Sequence, residues 1–491
     1  MPTSPNIVIV FADQLRADAL GCYGNPITAT PAIDELAARG TRFDSAYTPS
    51  PVCVPARSSF ITGLEPQHGD CFDNEMPTSP ASTFMDELSG AGYRTHGVGK
   101  MHFTPDTGAL RGFQTRDTGE EFGSADTDDY MKFVSERGFD FVEHPHGLRD
   151  EMYYVPQLSP VPEELHHSHW VADKSIEFLE KSAGDDQPYL LWASFIAPHP
   201  PFAPPSPWHR RFEPSVMPDP FVPPGSPELM TVYNRLQNRY KYRDGGVDRR
   251  LEQLRKAYYF ASVSYLDSQV ARIIAALDAS GQRENTVVLV TADHGEFLGD
   301  YGSYGKRSFL DAAAKIPLIA SGPGFEPSIR DEPVSLVDVR PTLLELAGAE
   351  GEPRDGTSLL DTAADRTVFG QFQDGALGLY AVITDEWKYI WSAFDRGEYL
   401  IDRKRDPRET LNAAYSPRRR ATLSTMRALA REHFEDLHEL DFDDASSNVP
   451  LQLGKRPSPE ALHALAALGI NPEASTLVVR GGPWEPTIEA D

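Results

Sequence analysis

The chain has 491 residues, 40% of them hydrophobic, long enough to bury a sizeable core in two or three domains or in one large α/β unit. Its 46 Lys and Arg stand against 73 Asp and Glu, a formal charge of −27, which argues against a nucleic-acid partner and an anionic membrane surface. A small anionic substrate held by a local cluster of cations stays open, because distant charges are screened.

The N-terminal "MPTSPNIVIVFAD" has no basic region ahead of its apolar run, and that run of about six residues is far short of the ~18 that span a bilayer. A soluble, cytoplasmic protein is the expectation. "NIVIVFAD" reads as a strand buried on both faces, with Asp13 at its polar end. "TPAIDELAARG" reads as a helix with Thr30 as N-cap, Pro31 at the first position and Gly40 as the stop. "TRFDSAYT" predicts a strand, "STFMDELSGAG" a helix, and "YRTHGVGKMH" a strand and loop. Residues 105–165 are polar with few periodic signals and read as an insertion or long active-site loop. "LHHSHWVADKSIEFLEKS" predicts a helix with Ala172, Ile176 and Leu179 on one face. "PYLLWASFIAPHPP" is a buried strand ending near His199, and 201–247 reads as proline-rich loop. A long helix is predicted over 249–280, after which "NTVVLVTADHGE" repeats the opening theme and ends in Asp293 and His294. "VFGQF", "YAVITDEWKYIWSA" and "GEYLIDRKRDPRE" predict short strands of a smaller antiparallel sheet, followed by a helix near 416–435. "SPEALHALAALG" carries one more helical pattern before an extended tail.

This alternation predicts an α/β fold: a large, mostly parallel sheet sandwiched by helices, with a smaller C-terminal α+β subdomain built on an antiparallel sheet. Chemistry in such sheets gathers beyond the carboxyl ends of the strands. Asp13, Lys100, His102, His199, Asp293 and His294 all lie at or just past predicted strand ends.

Asp13–Gln14 and Asp293–His294 each pair a carboxylate with a second donor. Converged, they form an oxygen-rich set with one imidazole, suited to Ca2+, Mg2+ or Mn2+; singly, each dipeptide is as well explained as a turn or helix cap. Arg57, Lys100, His102, His199 and Lys306 would together bind a strongly polarised oxyanion. Taken singly, they read as solvated cations and packed neutral rings. Cys53, in "SPVCVPARSSFITG", falls at a predicted helix N-terminus because Pro55 fits the first turn. That position favours an anion. The residues alone leave open a buried structural thiol, a thiolate nucleophile or a further chemistry. Cys22, Cys53 and Cys71 are too few for a disulfide framework.

"CVPAR" matches the Cys-x-Pro-x-Arg signature of the type I sulfatases, members of the alkaline phosphatase superfamily. "PNIVIVFADQLRADALGCYGN", "GYRTHGVGKMHF", "SFIAPHPPF", "TADHGEFLGDYGSYGKRSF", "IPLIASGPG", "SLVDVRPTLLELAG", "DGTSLL" and "YLIDRKRDPRETLN" resemble that family in its order, over roughly residues 5–415. The resemblance implies an alkaline-phosphatase-like catalytic domain over 1–365 and a C-terminal subdomain with extended tail over 366–491. It implies a sulfuric ester hydrolase acting on a small sulfated substrate. Cys53 is then oxidised by a separate formylglycine-generating enzyme to Cα-formylglycine, whose hydrate is the nucleophile. It further implies one divalent metal, Ca2+ ahead of Mn2+ or Mg2+, held by Asp13, Gln14, residue 53, Asp293 and His294. Arg57 is expected to steady the diol and Lys100 and Lys306 to offset charge on the sulfuryl group. His199 or Lys306 would protonate the leaving alcohol, and His102 would take a proton as sulfate departs. Asn74 in "CFDNE" resembles a position at the bound ester, beside Lys100, His199 and Lys306.

Three positions depart from the commonest pattern: Gln14 for a second aspartate, His294 for asparagine, and Tyr301 for a residue often basic or histidine. The Asp-Gln and Asp-His pairs resemble the choline sulfatase and phosphonate monoester hydrolase branch. A phosphonate monoester or phosphodiester hydrolase is therefore the alternative, and a non-catalytic metal-binding relative a third reading. His144, His146, His166, His167, His169, the 105–165 insertion and the loop after His199 are candidate pocket walls. The tail with "GGPWEP" is a candidate contact for a homo-oligomer.

Overall fold

The structure, a computed structural model, describes residues 4–149, 152–241, 248–361, 365–438, 477–481 and 486–490. An eight-stranded sheet forms its centre. In chain order its strands are β1 (Asn6–Asp13), β2 (Thr41–Phe43), β3 (Arg94–Gly99), β4 (Thr115–Thr118), β5 (Tyr189–Pro198), β6 (Thr286–Ala292), β7 (Leu318–Ser321) and β8 (Ser328–Arg330). Across the sheet they run β4-β3-β5-β1-β6-β7-β2-β8. β7 pairs antiparallel with both neighbours, and every other pairing is parallel. The β-branched runs of β1 and β6 are buried along nearly their whole length, as a strand covered on both faces must be.

The helices that frame the site are α1 (Pro31–Arg39), α2 (Cys53–Thr62), α3 (His167–Ser182) and α4 (Arg249–Ala279). α3 and α4 pack on each other and on β5. α2 is seated by Phe60, whose ring centroid lies 4.9 Å from Phe11 on β1 and 5.0 Å from Trp192 on β5. Cys53, Arg57 and Phe60 stand at i, i+4 and i+7, one face of a helix. The residue that anchors α2 to the sheet therefore also aims the cysteine and arginine at the end of β1.

A second, four-stranded antiparallel sheet follows: β9 (Val368–Phe372), β10 (Leu379–Ile383), β11 (Trp387–Ser392) and β12 (Gly397–Asp402). One face, with Leu379, Ala381, Ile390 and Ile401, packs against Phe309, Leu310 and Ala313 of the main unit. The other, with Tyr380, Val382, Tyr389 and Leu400, is covered by α5 (Arg420–His433) through Leu423, Met426 and Ala430. Lys388 crosses to the main unit, where its fully buried ammonium meets the Phe309 carbonyl at 2.8 Å, Glu409 at 2.6 Å and Asp311.

Several local expectations change. Thr30 does stand at the N-cap of α1, but its hydroxyl accepts Gly21 N–H and donates to Asp34. The helix N–H groups of Ala32 and Ile33 go instead to the Asp267 carboxylate of α4, at 3.2 and 2.9 Å. Asp267→Ala is expected to cost about 1 kcal/mol, the worth of a helix cap, measurable as a lowered urea midpoint with an unchanged slope. "TRFDSAYT" is broken at Asp44, so Ala46–Tyr47 leave the main sheet and pair with Val334–Ser335. The 201–247 stretch holds a helix, Val232–Lys241, because its prolines stop at Pro227. On α3, Ser175 is buried and Ile176 half-buried; the Ser175 hydroxyl is satisfied by the Val171 carbonyl at 2.7 Å. The insertion carries edge strand β4. The helical pattern "SPEALHALAALG" lies outside the described residues; beyond it, 477–481 pair antiparallel with 486–490. Among the described residues, no helix is long and apolar enough to cross a membrane.

Candidate active site

Sheet order assembles the site. β3, β5, β1 and β6 are adjacent and parallel, so their carboxyl ends lie in a row about 4.8 Å apart. Lys100, His199, Asp13 and Asp293 are the residues at those four ends. The β1–β5 register shifts between Ala12 and Asp13, an irregularity that re-aims the Asp13 side chain. Gln14 and His102 turn sharply with φ of 62° and 56°, a left-handed conformation that costs a non-glycine residue on the order of 1 kcal/mol. After β6, Gly295 passes so close to Ala312 that a Cβ would lie 2.2 Å from its carbonyl oxygen, and the Phe297 N–H bond to the Gly305 carbonyl at 2.8 Å closes the following loop just before Lys306.

Asp13, Cys53, Asp293 and His294 are all buried, and one ligand atom from each lies within 4.8 Å of the others. Cys53 Sγ is 3.3 Å from His294 Nε2 and 4.0 Å from Asp13 Oδ1. His294 Nδ1 is 3.1 Å from the Gly295 carbonyl and donates to it, so Nε2 presents its lone pair to the cluster. The Asp293 carboxylate accepts Gln14 N–H and His294 N–H at 2.9 Å each. Arg57 binds both carboxylates, Nη2 to Asp13 and Nε to Asp293 at 3.2 Å each, and its Nη1 donates to the Lys100 carbonyl at 2.8 Å and Ser194 Oγ at 3.2 Å.

Cations converge on the same point from the other side. Lys306 Nζ lies 2.8 Å from Cys53 Sγ, 3.0 Å from His294 Nε2 and 3.2 Å from Gln14 Oε1. Lys100, fully buried, is bound by Asp13 and Glu121. His199 Nδ1 donates to the Pro200 carbonyl at 2.7 Å, and its Nε2 is 3.3 Å from the Tyr153 hydroxyl. His102 and His199 lie close enough to Cys53 to act on its charge, and His102 Nδ1 is buried without a hydrogen-bond partner among the described residues. Asn74 Oδ1 accepts Val54 N–H at 2.9 Å and caps the first turn of α2 from outside.

The electrostatics follow. Burial would raise the Cys53 thiol, but Lys306, Lys100 and His294 pull it well below its usual range, as a helix N-terminus also favours. Burial and the Cys53 charge press Asp13 upward, yet Lys100, His199 and Arg57 bring it down to about 2. Burial and the nearby Asp13 raise Asp293. Burial lowers His199, against the pull of Glu121 and Asp13. Two carboxylates, an imidazole lone pair and an amide oxygen form a hard, oxygen-rich donor set, and this set fits a divalent metal.

Every predicted site residue, Asp13, Gln14, Cys53, Arg57, Asn74, Lys100, His102, His199, Asp293, His294 and Lys306, falls in this one region. Of the histidines expected as pocket walls, His146, His166 and His167 line a small cavity together with His199, and His144 and His169 are not among its lining residues. Tyr301 instead donates to the Arg408 carbonyl at 2.8 Å. Sequence reasoning missed the carboxylates that hold the site. Glu120 accepts the N–H groups of Met101 and His102, Glu121 lies 3.4 Å from His199 Nδ1 as well as on Lys100, and Glu296 underlies Gln14. The paired glutamates just past β4 and the last residue of "DHGE" were the available signals.

A family model described as Sulfatase matches residues 5–349. The chain is 28% identical over 467 residues to an arylsulfatase of Clostridium perfringens, covering 89% of this chain and 95% of the other. It is 31% identical over 462 residues to a choline-sulfatase of Rhizobium meliloti, covering 88% and 87%. Its fold is similar to the crystal structure of a phosphonate monoester hydrolase of Agrobacterium radiobacter, with a TM-score of 0.75, 22% identity, and 89% and 96% of the two chains covered. With a family model matching residues 5–349 and relatives matched along most of both chains, the chain belongs to the sulfatase family and is a sulfuric ester hydrolase.

Proposed function

We propose that the protein hydrolyses the sulfate ester of a small organic alcohol to the alcohol and sulfate, with Cys53 matured to Cα-formylglycine by a separate enzyme. The observation that carries this reading is the meeting of the Cys53 sulfur with two sets of groups, a ligand set (Asp13, Asp293, His294) and a cation set (Lys100, Lys306), inside one buried volume. One divalent cation is held by Asp13, Gln14, residue 53, Asp293 and His294, with Ca2+ preferred over Mn2+ or Mg2+ for the oxygen-rich donors. When bound, the cation supplies Lewis acidity, and the hydrated aldehyde supplies a nucleophile with a second hydroxyl that allows release without attack by water.

The chain's own residues do the rest. Arg57 fixes the two carboxylates, so the ligand set is organised before substrate arrives. Lys100 and Lys306 offset negative charge on the sulfuryl oxygens. Lys306 or His199 carries the proton to the departing alcohol, and His102 takes the proton released as sulfate leaves. Asn74, Lys100, His199 and Lys306 contact the ester. We place the catalytic domain at 1–365 and the C-terminal subdomain at 366–491.

A second reading, phosphonate monoester or phosphodiester hydrolysis, is favoured by the Asp13–Gln14 and Asp293–His294 pairs, in which Gln14 removes one carboxylate from the commoner ligand set and His294 exchanges one neutral donor for another. Protein co-produced with a maturation enzyme should show formylglycine in the peptide containing residue 53 by mass spectrometry. It should prefer aryl sulfate over phenylphosphonate and over a phosphodiester in kcat/KM by at least about tenfold, or ~1.4 kcal/mol of transition-state preference. The reverse preference selects the second reading, and no turnover of any of the three by formylglycine-bearing protein rejects both.

A further inference from the structure

Gln14 is the one member of the ligand set whose two ends have opposite chemistry. A primary amide turned by 180° presents N–H donors in place of an oxygen, and the two ends are almost the same shape. In this site the difference is decisive, because Lys306 Nζ lies 3.2 Å from the end that faces the cluster and an ammonium has only hydrogens to offer.

The far end of the amide is read by two groups. Gln14 Nε2 donates to Glu296 Oε2 and to the Tyr154 hydroxyl, the latter at 3.3 Å. The Tyr154 hydroxyl donates in turn to Glu296 Oε2 at 2.9 Å, which leaves its lone pair for Gln14. Both Nε2 hydrogens are thereby used. Glu296 Oε1 accepts Leu298 N–H at 2.9 Å and Gly305 N–H at 2.5 Å, and the side chain is fully buried. Ionised, this carboxylate can only accept, so it rejects the flipped amide. Through Gly305 the same carboxylate also holds the loop immediately before Lys306.

We infer that Glu296, seconded by Tyr154, is a positioning residue that locks the Gln14 amide with its oxygen toward the cation site. The inference rests on the reading that Gln14 belongs to a divalent-cation site. Side-chain partners that orient a ligand in this way typically change metal affinity by about 10–100-fold when altered.

The test is direct titration of the chelator-treated full-length protein with Ca2+ by calorimetry and with Mn2+ by electron paramagnetic resonance. Glu296→Gln keeps the shape, but with its oxygen held by the Leu298 and Gly305 N–H groups its NH2 faces Gln14, whose amide must then turn its own nitrogen toward the cation site. It is expected to weaken cation binding by about tenfold or more. In a Gln14→Ala background the same Glu296→Gln change should move the affinity by less than about twofold. The exchanged pair, Gln14→Glu with Glu296→Gln, restores an oxygen toward the cation and a donor–acceptor match behind it, and should bind within about threefold of the wild type. Tyr154→Phe, a milder change that leaves the carboxylate in place, should weaken binding by a few-fold. Glu296→Gln binding as tightly as wild type, or an equal loss in the Gln14→Ala background, overturns the inference. Wild-type protein that binds neither cation overturns the cation-site reading itself, and the inference with it.

Discussion

Replacing Cys53 by alanine is expected to lower sulfatase turnover by at least about 10^4-fold while leaving the fold intact. The side chain is only 1% exposed, and the change removes one sulfur from a cluster that keeps its other contacts. Lys306 retains Gln14 Oε1 and His294 Nε2 as acceptors, so the expected stability loss is about 1–2 kcal/mol. Serine separates the nucleophile from its exit. A serine oxygen at position 53 attacks sulfur and becomes a sulfate ester, but it has no second hydroxyl through which to expel the sulfate. Cys53→Ser should therefore release at most one equivalent of alcohol per site and then stop, with the sulfated peptide visible by mass spectrometry. Sustained turnover by the alanine variant would show that residue 53 is not the nucleophile.

Asp293→Asn tests the other half of the centre and should have the second largest effect. The fully buried Asp293 carboxylate accepts two backbone N–H groups with one oxygen and Arg57 with the other. Every partner is a donor, so an asparagine NH2 meets a donor whichever way it turns. Arg57 is left with Asp13 as its remaining counter-charge, and breaking such a buried pair costs about 3–5 kcal/mol. The cation site also loses a charge. In wild-type protein, Ca2+ at about 1,000 times its Kd should add ~4 kcal/mol to the unfolding free energy. In Asp293→Asn that increment should vanish at the same concentration, with turnover below detection. Urea unfolding with and without Ca2+ measures both effects. An unchanged Ca2+ increment in the variant would remove Asp293 from the ligand set.

What the sequence determined by itself is local. The continuous β-branched runs ending at Asp13 and Ala292 follow from burial on both faces of a sheet. The spacing of Cys53, Arg57 and Phe60 follows from the helical period, so the amino acids alone place the cysteine and arginine on one face once the helix forms. The ordered series of motifs carried the family resemblance. What only the tertiary structure decided is which strand ends stand next to one another. Residues far apart in the chain, 13, 100, 199 and 293, become neighbours because the strands they end lie in the order β3-β5-β1-β6, and no local propensity encodes that order. The same holds for Glu120, Glu121 and Glu296. Each sits in irregular loop, where period gives no signal, and each matters because folding buries it against a charge or an amide from another segment. A carboxylate in a sequence is usually solvated surface; burial with a specific partner is what turns it into part of a site, and burial is a property of the packed chain.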